Sequence, residues 1–167
     1  MIRPRHAVLV VLLSLAALGM GCDENPVGRI CDLGTATPAG DEAVVASPSL
    51  DCVSRTCLRI PPGREPPPGS TVGNLTAQQG LCTAECTADS DCDRVPESPC
   101  LTGFTCGAAT KAGESCCKKF CICKDFVVVP EESGELPIPA ACDASNALNE
   151  CCNLDGRRNN DLYPKCK

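Results

Sequence analysis

Seventeen cysteines hold most of the reactive chemistry in this chain. Thiols can exchange, ligate metals or act as nucleophiles, and each role has a spacing. Redox exchange of the thioredoxin kind uses Cys-x-x-Cys, whose short spacer lowers one thiol pKa. That spacing does not occur; the nearest are Cys82-x3-Cys86, Cys117-x3-Cys121 and Cys121-x-Cys123. Structural zinc needs close-spaced ligand pairs. Cys116, Cys117, Cys121 and Cys123 could offer four thiolates, but in an oxidising compartment such thiols pair with one another. Nucleophilic catalysis in its usual forms needs a neighbouring base, commonly histidine. The single histidine, His6, lies before the apolar segment of an export signal. Gly113-Glu-Ser-Cys-Cys117 opens like a nucleophile elbow but closes on Cys instead of Gly. Asp89, Asp91 and Asp93 alternate like the first ligands of a calcium loop, yet Arg94 stands where Gly is needed and Cys100 where a bidentate Glu belongs. These residues predict no catalytic, metal or cofactor site, and so no enzyme. They predict disulfides.

The first cysteine stands apart. MIRPRH supplies a basic start, and Ala7 to Met20 carries no charge. That is an export signal, residues 1–21, and its apolar run of about 14 residues falls short of the roughly 18 needed to span hydrocarbon. Gly21-Cys22 at its end resembles the lipobox of bacterial lipoproteins, with Leu18 one place earlier than usual. The resemblance implies cleavage before Cys22 and acylation of its thiol and new amine. Residues 22–30 then form a polar tether. Ordinary cleavage after Gly19-x-Gly21, giving a secreted protein, is the alternative. With Cys22 acylated, an even sixteen cysteines remain, as full pairing requires.

Loss of Arg3 and Arg5 leaves 13 basic against 21 acidic residues, a charge of −8. No basic cluster exceeds Lys118-Lys119, which argues against nucleic acid and against electrostatic binding to anionic lipid. Phe104, Phe120, Phe126 and Tyr163 are the only aromatics. So few large side chains cannot build a conventional core, and disulfides must substitute, each contributing about 2–4 kcal/mol. The predicted fold is small and disulfide-rich, mostly irregular, with short β-strands and little helix.

Residues 31–167 form the disulfide-rich extracytoplasmic domain. Its disulfide candidates are Cys31, Cys52, Cys57, Cys82, Cys86, Cys92, Cys100, Cys106, Cys116, Cys117, Cys121, Cys123, Cys142, Cys151, Cys152 and Cys166. DEAVVAS and CVSRTCLRI read as two strands bounded by turn residues. The Pro-rich stretch 59–72 favours an extended loop. Residues 81–125 hold nine cysteines. Phe126 to Val129 reads as a further strand, and ASNALNECC, 144–152, as one or two helical turns. Besides Cys22, three cysteines precede the Pro-rich stretch. Full pairing of an odd number requires a bridge across that stretch, so it should be a loop within one cross-linked body. Neighbours Cys116-Cys117 and Cys151-Cys152 should each pair elsewhere, because a bond between adjacent residues strains the backbone. Connectivity stays open.

Cys86-Thr-Ala-Asp89-Ser-Asp91-Cys92, then Gly103-Phe104-Thr-Cys106, then Cys116-Cys117-Lys-Lys-Phe-Cys121-Ile-Cys123-Lys124-Asp125-Phe126 resembles cysteine-rich lipoproteins of predatory myxobacteria. The likeness covers about 40 residues and implies location and scaffold, not an activity. The Cys-x5-Cys and Cys-Cys-x3-Cys spacings are also similar to whey-acidic-protein domains, with Cys100 and Cys106 as extra cysteines. That similarity implies a protease inhibitor as the alternative function. The first expectation is a protein anchored to a bacterial membrane, at the outer membrane or cell surface. It would bind an unidentified protein partner through loops such as Ser98 to Phe104 and Pro130 to Pro139.

Overall fold

The computed structural model describes residues 26–142, apart from positions 36, 37, 39, 41 and 112, together with Cys151. The signal, Cys22, Cys152, Cys166 and the remainder of 144–152 lie outside the described residues. Six short strands carry the fold: β1 (Ile30–Asp32), β2 (Val44–Ala46), β3 (Thr56–Arg59), β4 (Gln79–Thr83), β5 (Phe104–Ala108) and β6 (Lys119–Cys123). The helical pieces among the described residues are 3-10 turns at Val72–Asn74, Asp89–Asp91 and Ala140–Cys142. The molecule is thus a small disulfide-rich fold, mostly irregular, with short antiparallel strands.

Four strands form one sheet in the order β1-β4-β3-β2, and β5 pairs with β6 in a hairpin; every pair is antiparallel. DEAVVAS and CVSRTCLRI supply β2 and β3. Beyond β4 the chain continues alongside β6 and joins the two sheets. Cys121 N–H donates to Ala84 O and Cys86 N–H to Lys119 O, both at 3.1 Å. Thr83, fully buried, donates its hydroxyl to Cys121 O at 2.8 Å. Gly80 is fixed by close approach, since a Cβ there would sit 2.6 Å from Leu58 O on β3.

Sulfur takes the place of aromatic side chains in the core. One cluster is Cys31, Leu33, Cys52, Cys57 and Cys82, four half-cystines around one leucine. Another sets Val27, Val72, Leu81 and Phe104 against Cys100, Cys121 and Cys123. A third joins Leu58 of β3 to Phe120 and Ile122 of β6. Burying such a phenylalanine contributes about 1.5–3 kcal/mol.

Among the described residues, seven disulfides brace this body. Cys31–Cys57 and Cys52–Cys82 hold the four-stranded sheet. Cys86–Cys106, Cys92–Cys121 and Cys100–Cys123 surround the hairpin. Cys116–Cys151 and Cys117–Cys142 attach the C-terminal segment. Cys52–Cys82 crosses the Pro-rich stretch, and the neighbours Cys116 and Cys117 leave for different partners.

The strand expected over Phe126 to Val129 does not form. The chain turns instead, with Phe126 N–H donating to Cys123 O at 3.2 Å and Val127 N–H to Lys124 O at 3.4 Å. Asp125 is the cause: its carboxylate is drawn wholly into the interior, and the backbone bends to deliver it.

Candidate functional site

Asp125 is fully buried and joins three segments distant in sequence. Its Oδ2 accepts from Ser70 Oγ at 2.5 Å and from Leu101 N–H at 2.6 Å. Its Oδ1 accepts from Thr102 N–H at 3.0 Å and from the Thr102 hydroxyl. Burial alone would raise the pKa of this carboxyl. The bonds from Ser70, Thr102 and the Leu101 amide outweigh burial and hold it below the ordinary carboxylate range. The carboxylate therefore fixes the end of the Pro-rich loop and the loop Ser98 to Phe104 together. Ser98 Oγ accepts from Cys100 N–H at 3.2 Å, and Cys100–Cys123 staples the same loop to β6. Leu101 stays exposed at its tip.

The acidic run beside it behaves as a scaffold. Asp89 Oδ1 accepts from Thr105 Oγ1 at 3.0 Å and from Cys106 N–H at 2.7 Å, and Lys124 Nζ lies 3.2 Å from Oδ2. Partial burial would raise the Asp89 pKa; the Cys106 amide, Thr105 and Lys124 together lower it. Asp91 Oδ2 takes the Thr87 amide and hydroxyl at 2.8 Å and the Ala88 amide at 3.0 Å, and the Thr87 bonds lead in lowering its pKa. These oxygens close a turn, as Asp does at such positions. Ser115, the serine of the elbow-like motif, lies in the turn that delivers Cys116 and Cys117, where its carbonyl accepts from Thr110 Oγ1 at 2.9 Å.

Three groups of sulfurs gather within 4.8 Å, at Cys31, Cys52 and Cys82, at Cys86, Cys92 and Cys121, and at Cys116, Cys117 and Cys151. Such spacing would suit a soft metal, but each of these sulfurs is bound in a disulfide and offers no thiolate. The fourteen described cysteines are all paired in this way, whereas Cys22, Cys152 and Cys166 lie outside the described residues.

Two surface features have no counterpart in the sequence reading. Leu50 and Val53 stand exposed on the loop joining β2 to β3, next to the Cys52–Cys82 bridge. A cleft of 180 Å³ opens between β3, β4 and the Pro-rich loop, with Leu58, Ile60, Val72, Leu75 and Phe126 in its wall. Arg59 is its one charged residue. A Pro-rich loop folded back on its sheet is the feature from which such a cleft could have been suspected. The predicted contact loop Pro130 to Pro139 is mainly exposed, with Leu136 turned inward against Phe120 and Ile122. Among the described residues no helix is long and apolar enough to cross a membrane. Neither a family model, nor a curated protein, nor a solved structure matches the chain.

Proposed function

We propose that the protein is a lipid-anchored, non-enzymatic surface module of a bacterial membrane. The coarser part of this reading rests on the bridges: a chain so heavily disulfide-bonded suits an oxidising, extracytoplasmic compartment. The observation carrying the finer part is Cys22, which directly follows an uncharged apolar run and precedes the polar DENPVG. Several acyl chains on that cysteine would anchor the protein stably, where one alone gives marginal binding. A mature charge of −8 opposes electrostatic adhesion to anionic lipid, so the anchor has to be hydrophobic. The body then displays braced loops to a protein partner. Ser98 to Phe104, held by Asp125 and Cys100–Cys123, is the best prepared, because a loop ordered beforehand loses little entropy on binding. Cys22→Ser tests the anchor. The variant should move from the membrane fraction to the soluble fraction while the native protein stays with membranes. Retention of the variant on membranes would refute the reading.

A further inference from the structure

Only Asp23 to Pro26 separate Cys22 from Val27, where the folded body starts. Val27 is fully buried and tied on both sides: its N–H donates to Asp93 O and its carbonyl accepts from Val95 N–H, each at 2.9 Å. Gly28 N–H donates to Cys82 O at 2.8 Å. Acylation would hold Cys22 at the boundary of the hydrocarbon. The five residue steps from Cys22 to Val27 reach at most about 18 Å in extended chain. The headgroup layer takes about 6 Å of that reach. What remains is about 12 Å, the width of a single helix with its side chains. No folded domain fits between this end of the body and the lipid.

Contacts define which residues lie at that end. Val27 bridges Arg94, whose Nη1 donates to Cys100 O at 2.7 Å and to Leu101 O at 2.9 Å. A Cβ on Gly28 would sit 2.9 Å from the Phe104 ring and would collide with Ser98 Oγ. The loop Ser98 to Phe104 is therefore beside the point where the chain leaves for Cys22. Its Leu101 and the nearby Ile30 of β1 are each about half exposed. Around them Arg29 and Arg94 balance Asp93 and Glu97, with Arg29 Nη2 3.1 Å from Glu97 Oε1. This end thus lacks the net charge that opposes adhesion of the whole chain to anionic lipid. The β5–β6 hairpin leads away from it, since β5 starts at Phe104 and Ala108 lies about 13 Å further along the strand.

We propose that the Val27 end of the body rests on the lipid surface, with Ile30 and Leu101 against the headgroup layer and the tip of the β5–β6 hairpin away from it. The proposal rests on acylation of Cys22 and deepens that reading, because a protein partner of Ser98 to Phe104 then has to lie in the same membrane.

The chain contains no tryptophan, so an introduced one reports alone. Full-length protein is extracted from membranes and reconstituted on vesicles of phosphatidylcholine brominated high on its acyl chains. Flotation of the vesicles reads the anchor, and quenching by bromine reads the orientation. Leu101→Trp and Ile30→Trp replace exposed side chains and should lose most of their emission on these vesicles. Ile138→Trp is the control, because Ile138 is 64% exposed and lines one cleft with Ala108 and Lys119. It should keep its emission. Hydroxyl-radical footprinting of the unsubstituted protein decides the matter even if a variant fails to fold. Relative to Ile138, oxidation of Ile30 and Leu101 should fall on phosphatidylcholine vesicles compared with soluble Cys22→Ser protein. Floating protein in which Leu101 and Ile30 are quenched and protected no more than Ile138 overturns the orientation and leaves the anchor standing. Protein that does not float overturns the anchor reading, and the orientation with it.

Discussion

Asp125 shows how one buried charge can order a fold with little hydrocarbon in it. Four donors from Ser70, Leu101 and Thr102 converge on it. Asp125→Ala would leave these donors buried without an acceptor, and we expect a loss of about 2–4 kcal/mol in denaturant unfolding with the disulfides intact. The pH dependence follows from the lowered pKa. A carboxyl whose folded pKa lies below the ordinary 3.8 stabilises the fold fully above that value, and its contribution is lost as pH falls through the folded pKa. Thermal unfolding should therefore be nearly flat from pH 7 to about 4.5 and fall below about 3.8. Asp125→Asn should flatten the acid limb; an unchanged limb would remove Asp125 from its cause. None of this was legible in the sequence, where Asp125 is one letter of a Cys-Lys-Asp-Phe run. Its partners are 55, 24 and 23 positions away, and only the folded chain brings them together. The proposed role of Cys22, by contrast, rests on a local pattern, an apolar run and the cysteine that closes it.

At the scale of elements, bridges do what large side chains do elsewhere. Cys52–Cys82 ties the β2–β3 loop to β4 across 30 positions. Chain-entropy arguments give such a bridge roughly 3–4 kcal/mol. Replacing both cysteines with alanine should lower stability by that amount in guanidinium unfolding, and a change under about 1 kcal/mol would mean that Cys31–Cys57 and the Leu58 and Leu81 packing hold this sheet without it. Strands β2 and β3 were legible because Val44-Val45 and Thr56-Cys57-Leu58 sit between turn residues. Strand β6 was not, because Phe120, Cys121, Ile122 and Cys123 are all buried, so the alternation of a half-exposed strand is missing. The strand expected at Phe126 to Val129 failed for the opposite reason. Its valines look like a strand, but the pull of Asp125 into the interior turns the chain first.

For the whole molecule, covalent architecture and compartment belong together, and the proposed anchoring builds on them. Scarce aromatics leave the core to disulfides, the disulfides suit an oxidising, extracytoplasmic compartment, and the proposed anchor would hold so acidic a chain at a membrane by its hydrocarbon. The fold class was legible from composition alone, because so many cysteines with so few large side chains leave one kind of core. The bridge pattern was not, since it depends on which strands meet. Intact mass of native protein, extracted from membranes and alkylated without reduction, tests this account most directly. The account predicts a chain that begins at Cys22, carries the added mass of acyl chains and shows no alkylated thiol. A chain without acyl mass and with one or more alkylated thiols would contradict it, and would make the protein a soluble secreted one with a reactive cysteine.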